Sequence, residues 1–257
     1  AWRASDKESF IKLYLKLYSK KLDERYMKLL VQNGATANPL YLKIVLDQLV
    51  HMSSFDNLSI SVSHYLSCKT IQELFKCIFA DWEATFNKTS GSNLVADTIG
   101  ILSLSHAGLT EEELFSLSGA SENEWNSFFY TLKYFTISSS RGLLFYHTSL
   151  TDAVQSRYFD ESNLRDELLC KLARYFETVP LSTSIREFPF VLLKLSESTD
   201  SSRLRSFMTN PASISLVHES LSHEELLGIW SRIGDFVITT SDMAVGNCTA
   251  GAVRAIL

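Results

Sequence analysis

Proline is scarce, four in 257 residues, which leaves long stretches without the residue that removes a helix amide and clashes with the turn before it. A mainly helical chain is expected. Cysteine is scarce as well: Cys68, Cys77, Cys170 and Cys248 are irregularly spaced, and no two stand at the two-residue interval of structural zinc or redox sites. They read as reduced core cysteines of a cytosolic protein. No apolar run approaches the length needed to cross a bilayer, and no basic-then-apolar leader opens the chain, so a soluble, cytoplasmic protein without membrane association is predicted. Basic residues are not in excess either. With 24 Lys and Arg against 29 Asp and Glu, a net charge of −5 and a pI near 5.7, the chain does not suit a protein whose main task is neutralising phosphates, and no nucleic-acid partner is expected.

Catalytic signatures are missing in the same way. His223-Glu224-Glu225 lacks a second histidine one turn on, so a zinc protease is unsupported, and no Gly-x-Ser-x-Gly elbow occurs. Glu111 to Glu113 open a helix, where carboxylates favour the positive end of the macrodipole rather than acid/base chemistry. No phosphate-binding loop of the G-x-x-x-x-G-K-[ST] type is present. The nearest spacing, Gly246 to Gly251, has Ala252 and Val253 where a lysine and a hydroxyl residue are needed. No catalytic residue, no metal ligand and no enzymatic activity are assigned to this chain.

What is present is a globular composition, 46% hydrophobic and 21% charged, in a chain long enough for one large domain or two to three small ones. Helical spacing runs from Asp6 to Leu17, with Ser5 or Asp6 as cap and Phe10, Ile11, Tyr14, Leu15 and Leu17 inward, then from Leu22 to Val31, with Tyr26, Leu29 and Leu30 on one side. Asn38-Pro39 opens a strong helix, the proline lying in the first turn where its missing amide costs nothing. Ile71 to Phe86 follows behind a Thr70/Glu73 capping box, and Leu94 to Ser105 is apolar almost all round. Thr110 with Glu113 caps a short helix that Gly119 closes, Ser121 to Phe135 forms another, and Thr136 to Tyr146 gives two short strands around a turn with Arg141-Gly142. Beyond them, Asn163 to Thr178 is helical up to Pro180, and 184–195, 202–209, 214–218 and 223–233 have the spacing of short stacked helices. From Thr239 the pattern decays into small residues.

Three helices and a hairpin have the order of a winged helix. Glu122 and Glu124 stand where a recognition helix would present bases to DNA, and Lys133 is its one basic residue, so a winged-helix DNA binder ranks last and an interaction module is preferred. The chain is organised around Arg141 to Tyr158. There a short buried strand meets His147, and Thr148 or Ser149 caps the helix that follows. A histidine at such a junction has one ring face against the core and one nitrogen free; it is either a satisfied structural side chain or a switch residue.

Asn38-Pro39-Leu40-Tyr41-Leu42, Leu109-Thr110-Glu111-Glu112-Glu113-Leu114 and Tyr146-His147, in that order, resemble the C-terminal half of a STAND-type NTPase module. This is the NACHT/AP-ATPase class, in large animal proteins of the nephrocystin-3 and telomerase-associated protein 1 kind. The resemblance covers most of residues 1–235. It implies a helical lid over 1–66, a winged-helix domain over 67–160 and a helical domain over 161–257 that leads toward TPR or WD40 repeats. It also implies that Pro39 lies against the adenine and His147 reaches the β-phosphate of ADP. The class has Met-His-Asp where this chain has Tyr146-His147-Thr148, so the acidic neighbour is replaced by a possible helix cap. ATP or ADP would bind only with an upstream nucleotide-binding domain of the same chain, the first expected partner. Protein partners or self-assembly would follow from a signal-transduction switch, or from a nucleotide-independent helical scaffold.

Overall fold

The structure is a computed structural model that describes residues 2–51, 58–87, 93–196 and 202–239. The decay after Thr239, Cys248 and the Gly246 to Gly251 spacing lie outside these residues. Helices α1 (Ala4–Leu17) and α2 (Glu24–Gln32) lead to α3 (Pro39–His51), α4 (Leu58–Leu66), α5 (Ile71–Phe86) and α6 (Leu94–Leu104). Next come α7 (Glu111–Ser118), α8 (Glu122–Leu132), strands β1 (Thr136–Ser138) and β2 (Leu143–Phe145), and α9 (Thr148–Val154). The remainder is α10 (Leu164–Thr178), α11 (Leu181–Ser184), α12 (Phe188–Ser196), α13 (Ser202–Thr209), α14 (Pro211–Ser220) and α15 (His223–Thr239). The protein is mainly α. β1 and β2 make a single antiparallel pair, with Ile137 opposite Leu144, and are the only strands among the described residues.

Two units divide the chain. The first comprises residues 1–95 and 147–157, the second 96–146 and 158–257. In the first unit α3 is the centre, with Tyr41, Leu42, Ile44, Val45 and Leu46 all buried, and α5 packs against both α3 and α9. The Tyr41 hydroxyl, with one proton to donate, sits 2.6 Å from the Tyr65 carbonyl in the last turn of α4 and 2.7 Å from that of Cys68 just beyond it. Lys7 closes α2 in a similar way. Its buried ammonium donates to the Val31 and Asn33 carbonyls and the Thr36 hydroxyl at 2.9–3.0 Å, three acceptors for three protons.

In the second unit α6, α7 and α8 precede the hairpin, and α10 packs on α12, α12 on α13 and α15, and α13 on α14. The consecutive pairs α12–α13 and α13–α14 stack, as the short spacings suggested, whereas α15 packs back on α12. Thr110 and Glu113 form both halves of the expected box, 3.2 Å and 2.8 Å, and Gly119 takes the left-handed conformation (φ 67°) that ends α7. The loop before α7 joins the hairpin: Leu109 and Leu143 exchange backbone hydrogen bonds of 3.2 and 2.8 Å. Glycine is required there on both sides. A Cβ on Gly142 would stand 2.6 Å from the Leu109 nitrogen, and one on Gly108 would stand 2.8 Å from the Leu143 oxygen.

Several expectations are corrected. α1 starts at Ala4 with Arg3 as cap, because Asp6 is the third helical residue and its carboxylate accepts from the Arg3 amide at 3.1 Å. Leu17 is 78% exposed and Leu29 is 40% exposed, so neither belongs to the core. At α5, Thr70 accepts from the Glu73 amide, but Glu73 reaches back to the Lys69 amide rather than to Thr70. α8 stops at Leu132 and a 3-10 turn carries Lys133 to Phe135. α9 passes into a π-helical segment, Gln155–Phe159. β2 is half-buried rather than buried, with Leu143, Leu144 and Phe145 all partly exposed.

Candidate functional site

Pro39 sits where the sequence placed it. Asn38, extended at ψ 120°, caps α3 by accepting from the Leu40 amide at 2.9 Å; Pro39 is the first helical residue, and its ring is exposed. An exposed proline at this position has the geometry of a helix starter.

His147 differs from its expectation. Neither Thr148 nor Ser149 caps α9; His147 itself does, with extended backbone (φ −149°, ψ 139°) and Nδ1 accepting from the Ser149 amide at 3.1 Å. An imidazole nitrogen can replace the side-chain oxygen of Asn or Asp in this position because it stands at the same distance from the backbone, two bonds beyond Cβ. The ring is exposed rather than laid on the core. An Nδ1 that accepts must be unprotonated, so the neutral ring carries its proton on Nε2. The cap therefore fixes the tautomer and turns Nε2 into an outward donor. Pro39 and His147 belong to the same unit, on helices that both pack against α5.

Two side-chain clusters were not foreseen. In the first unit, Cys77 Sγ is 2.8 Å from His64 Nε2, which lies 3.4 Å from Asp81, while Tyr65 donates to Asp81 at 2.9 Å. The set has the residue types of a nucleophile, a base and an orienting acid. Burial, reinforced by neighbouring Cys68 and Asp81, pushes the Cys77 thiol up to about 12, which leaves it protonated at neutral pH and poorly nucleophilic. Cys77 and Cys170 are half-buried, so of the three free cysteines described only Cys68 fits the core reading.

In the second unit, buried Glu187 accepts from the backbone amides of His106, at 2.8 Å, and Ala107. Burial raises its carboxyl above the usual range, against the pull of those two amides, His106 and Lys194. The His106 ring stacks on Phe190 with centroids 3.5 Å apart and lies 3.0 Å from Glu225. Arg186 pairs with Glu113 and donates to the Arg141 carbonyl. These contacts fasten the α6–α7 loop to α12 and α15, which is a structural task. No group of three or more His, Cys, Asp or Glu among the described residues could hold a metal ion, and no described helix is long and apolar enough to cross a membrane.

The family model of the nephrocystin 3 helical domain matches residues 11–158, more than half of the chain and a span that contains both Pro39 and His147. The chain belongs to the nephrocystin 3 helical-domain family. It is also similar to a TPR repeat-containing protein of Dictyostelium discoideum, 23% identical over 232 residues, which cover 88% of this chain and 14% of that protein. The chain thus spans a small part of that relative's length. No solved structure matches it.

Proposed function

We propose that this nephrocystin 3-type helical chain is an interaction and regulatory segment of a larger signal-transduction protein of the STAND/NACHT kind, and that it couples nucleotide state to assembly. In this reading residues 1–66 are the helical lid, 67–160 a winged-helix domain and 161–257 a helical domain leading toward repeats. The supporting observation is His147: its cap with Ser149 commits Nδ1 and directs the Nε2 proton outward from an exposed ring, the form in which a neutral histidine donates to a phosphate oxygen. Pro39 would meet the adenine with its exposed ring face. ATP or ADP would be held by an upstream domain of the same protein, and this chain would contribute no catalysis of its own. The order α6, α7, α8, β1, β2 and the Leu109–Leu143 bridge agree with a winged helix used for protein contacts.

A second reading, a helical scaffold to which nucleotide is irrelevant, is favoured by one observation: capping α9 and starting α3 account for His147 and Pro39 without a ligand. The similarity to a TPR repeat-containing protein suits both readings, since stacked helical repeats present protein-binding surfaces. A DNA-binding role stays last, because Glu122 and Glu124 lie in the first turn of α8. Light scattering of the full-length protein with ADP, with ATP and without nucleotide separates the first two. A change in assembly mass between nucleotide states supports the switch; the same mass in all three supports the scaffold.

A further inference from the structure

Charge is distributed unevenly along this acidic chain. Residues 3–28 carry eight Lys and Arg against four Asp and Glu, although the whole chain has 24 against 29. α1 and α2 pack side by side and leave a groove between them. At one end is a cleft of about 600 Å³ with Leu15, Leu22 and Met27 in its lining and Lys12, Lys16, Lys20 and Lys21 around them. The turn that brings the last two lysines to the cleft runs through Ser19, the only described residue other than glycine with positive φ (55°). That conformation costs a side-chain-bearing residue of order 1 kcal/mol. Lys20 is tethered to the Val50 carbonyl. Lys16 and Lys21 are exposed and have no ion pair among the described residues. Lys12, Leu22 and Met27 continue into a second cleft of about 340 Å³, where Glu8 and Glu24 stand beside Lys28. The groove therefore has an apolar lining of Leu15, Leu22 and Met27 at its basic end, and at the other end Leu22, Met27 and Val31 lie among charges of both signs.

We propose that the α1–α2 groove is a docking site for an extended peptide segment that carries an aliphatic anchor next to two or more acidic residues. The anchor fills the space over Leu22 and Met27, and the acids meet Lys16, Lys20 and Lys21. Three features select a peptide. A concave site suits a chain better than a flat bilayer. Glu24 would repel a run of phosphates and Glu8 pairs with Lys12, which takes that lysine from a phosphate backbone; both disfavour nucleic acid. The different charge of the two ends, basic at one and mixed at the other, gives the ligand a direction, as a peptide has and a small anion lacks. This proposal rests on the interaction reading and is independent of nucleotide.

The test is selection from a random twelve-residue peptide library on the 257-residue protein, followed by calorimetry with an enriched peptide. Two variants are run in parallel: Lys16→Glu with Lys21→Glu, and Glu8→Lys with Glu24→Lys, each checked by circular dichroism for unchanged helix content. Enriched peptides are expected to pair an aliphatic residue with acids on one side of it. Their affinity should fall at least tenfold in the first variant and weaken as salt rises, because rim charges in water are screened. The second variant should select peptides with acids on both sides of the anchor. Enrichment without acidic bias, or full affinity in Lys16→Glu with Lys21→Glu, would overturn the groove as the site while leaving an interaction role elsewhere intact. No enrichment, with binding to phosphatidylserine vesicles instead, would overturn the peptide in favour of a membrane surface.

Discussion

Removing the Glu187 carboxylate should cost the fold more stability than removing the His147 cap or the Glu225 carboxylate. Glu187 is 1% exposed and accepts from two backbone amides, those of His106 and Ala107. In Glu187→Ala both amides lose their acceptor inside the second unit, and each orphaned buried donor costs about 1–3 kcal/mol. Since the His106 amide can regain some water, a total of about 3 kcal/mol is expected, or a fall in Tm of about 6–12 °C for a chain of this size. Glu187→Gln should lose about half as much, because its amide oxygen can serve one donor while its NH2 opposes the other. The pH profile gives a second readout. Burial raises the folded carboxyl above its unfolded value, so between those values the native state holds a proton that the unfolded state has released. The stability contributed by the neutral form is present below the unfolded value and is lost as pH rises through the folded one. Thermal melts from pH 4 to 8 should show that loss in the wild type and not in Glu187→Gln. An alanine variant that melts within a degree of wild type would show that the loop does not depend on this carboxylate.

Other outcomes follow from the same structure. His147→Ala should lower Tm by about 2–4 °C through loss of a cap worth about 1 kcal/mol, whereas His147→Asn, which restores an acceptor near the Nδ1 position, should melt with wild type. Gly142→Ala should destabilise by about 1–3 kcal/mol in urea titration, since its Cβ would lie 2.6 Å from backbone that cannot give way. Glu225 should contribute to acid sensitivity. Burial raises its carboxyl, but the Ser222 amide and hydroxyl and His106 outweigh that and hold it at about 2. Its contribution is present above the unfolded value of 4.5 and is lost as pH falls toward 2, a slope that Glu225→Gln should remove.

Local signals in the chain carried much of this fold. The Thr110/Glu113 box, Gly119, Asn38-Pro39 and the apolar spacing of α5 and α10 each depend on residues within a turn or two, so they are readable in one dimension. α4 is not. Leu58-Ser-Ile-Ser-Val-Ser alternates like a strand, and it is helical because Leu58, Val62 and Tyr65, on one helical face, are buried in the first unit. The His147 cap was missed because capping preference points to Ser, Thr, Asp and Asn, and imidazole serves only where its Nδ1 is turned back onto the first helical amides. Glu187 reaches amides 80 and 81 residues away, a pairing that no local pattern contains. The lysine groove was hidden by the net charge of −5, since an average over the chain conceals a basic segment opposed by a longer acidic one.

The most direct measurement of the switch reading is ADP titration calorimetry on the full-length protein and its His147→Asn variant. Asparagine keeps α9 capped but has no donor at the Nε2 position, so stability and nucleotide contact are separated. A hydrogen bond to a charged phosphate is worth about 1.5–3 kcal/mol, and an affinity loss of about tenfold or more at unchanged Tm is expected. Equal ADP affinity in the two proteins would mean that His147 serves only as the cap of α9 and makes no nucleotide contact, and no ADP binding by either would mean that the scaffold reading is the correct one.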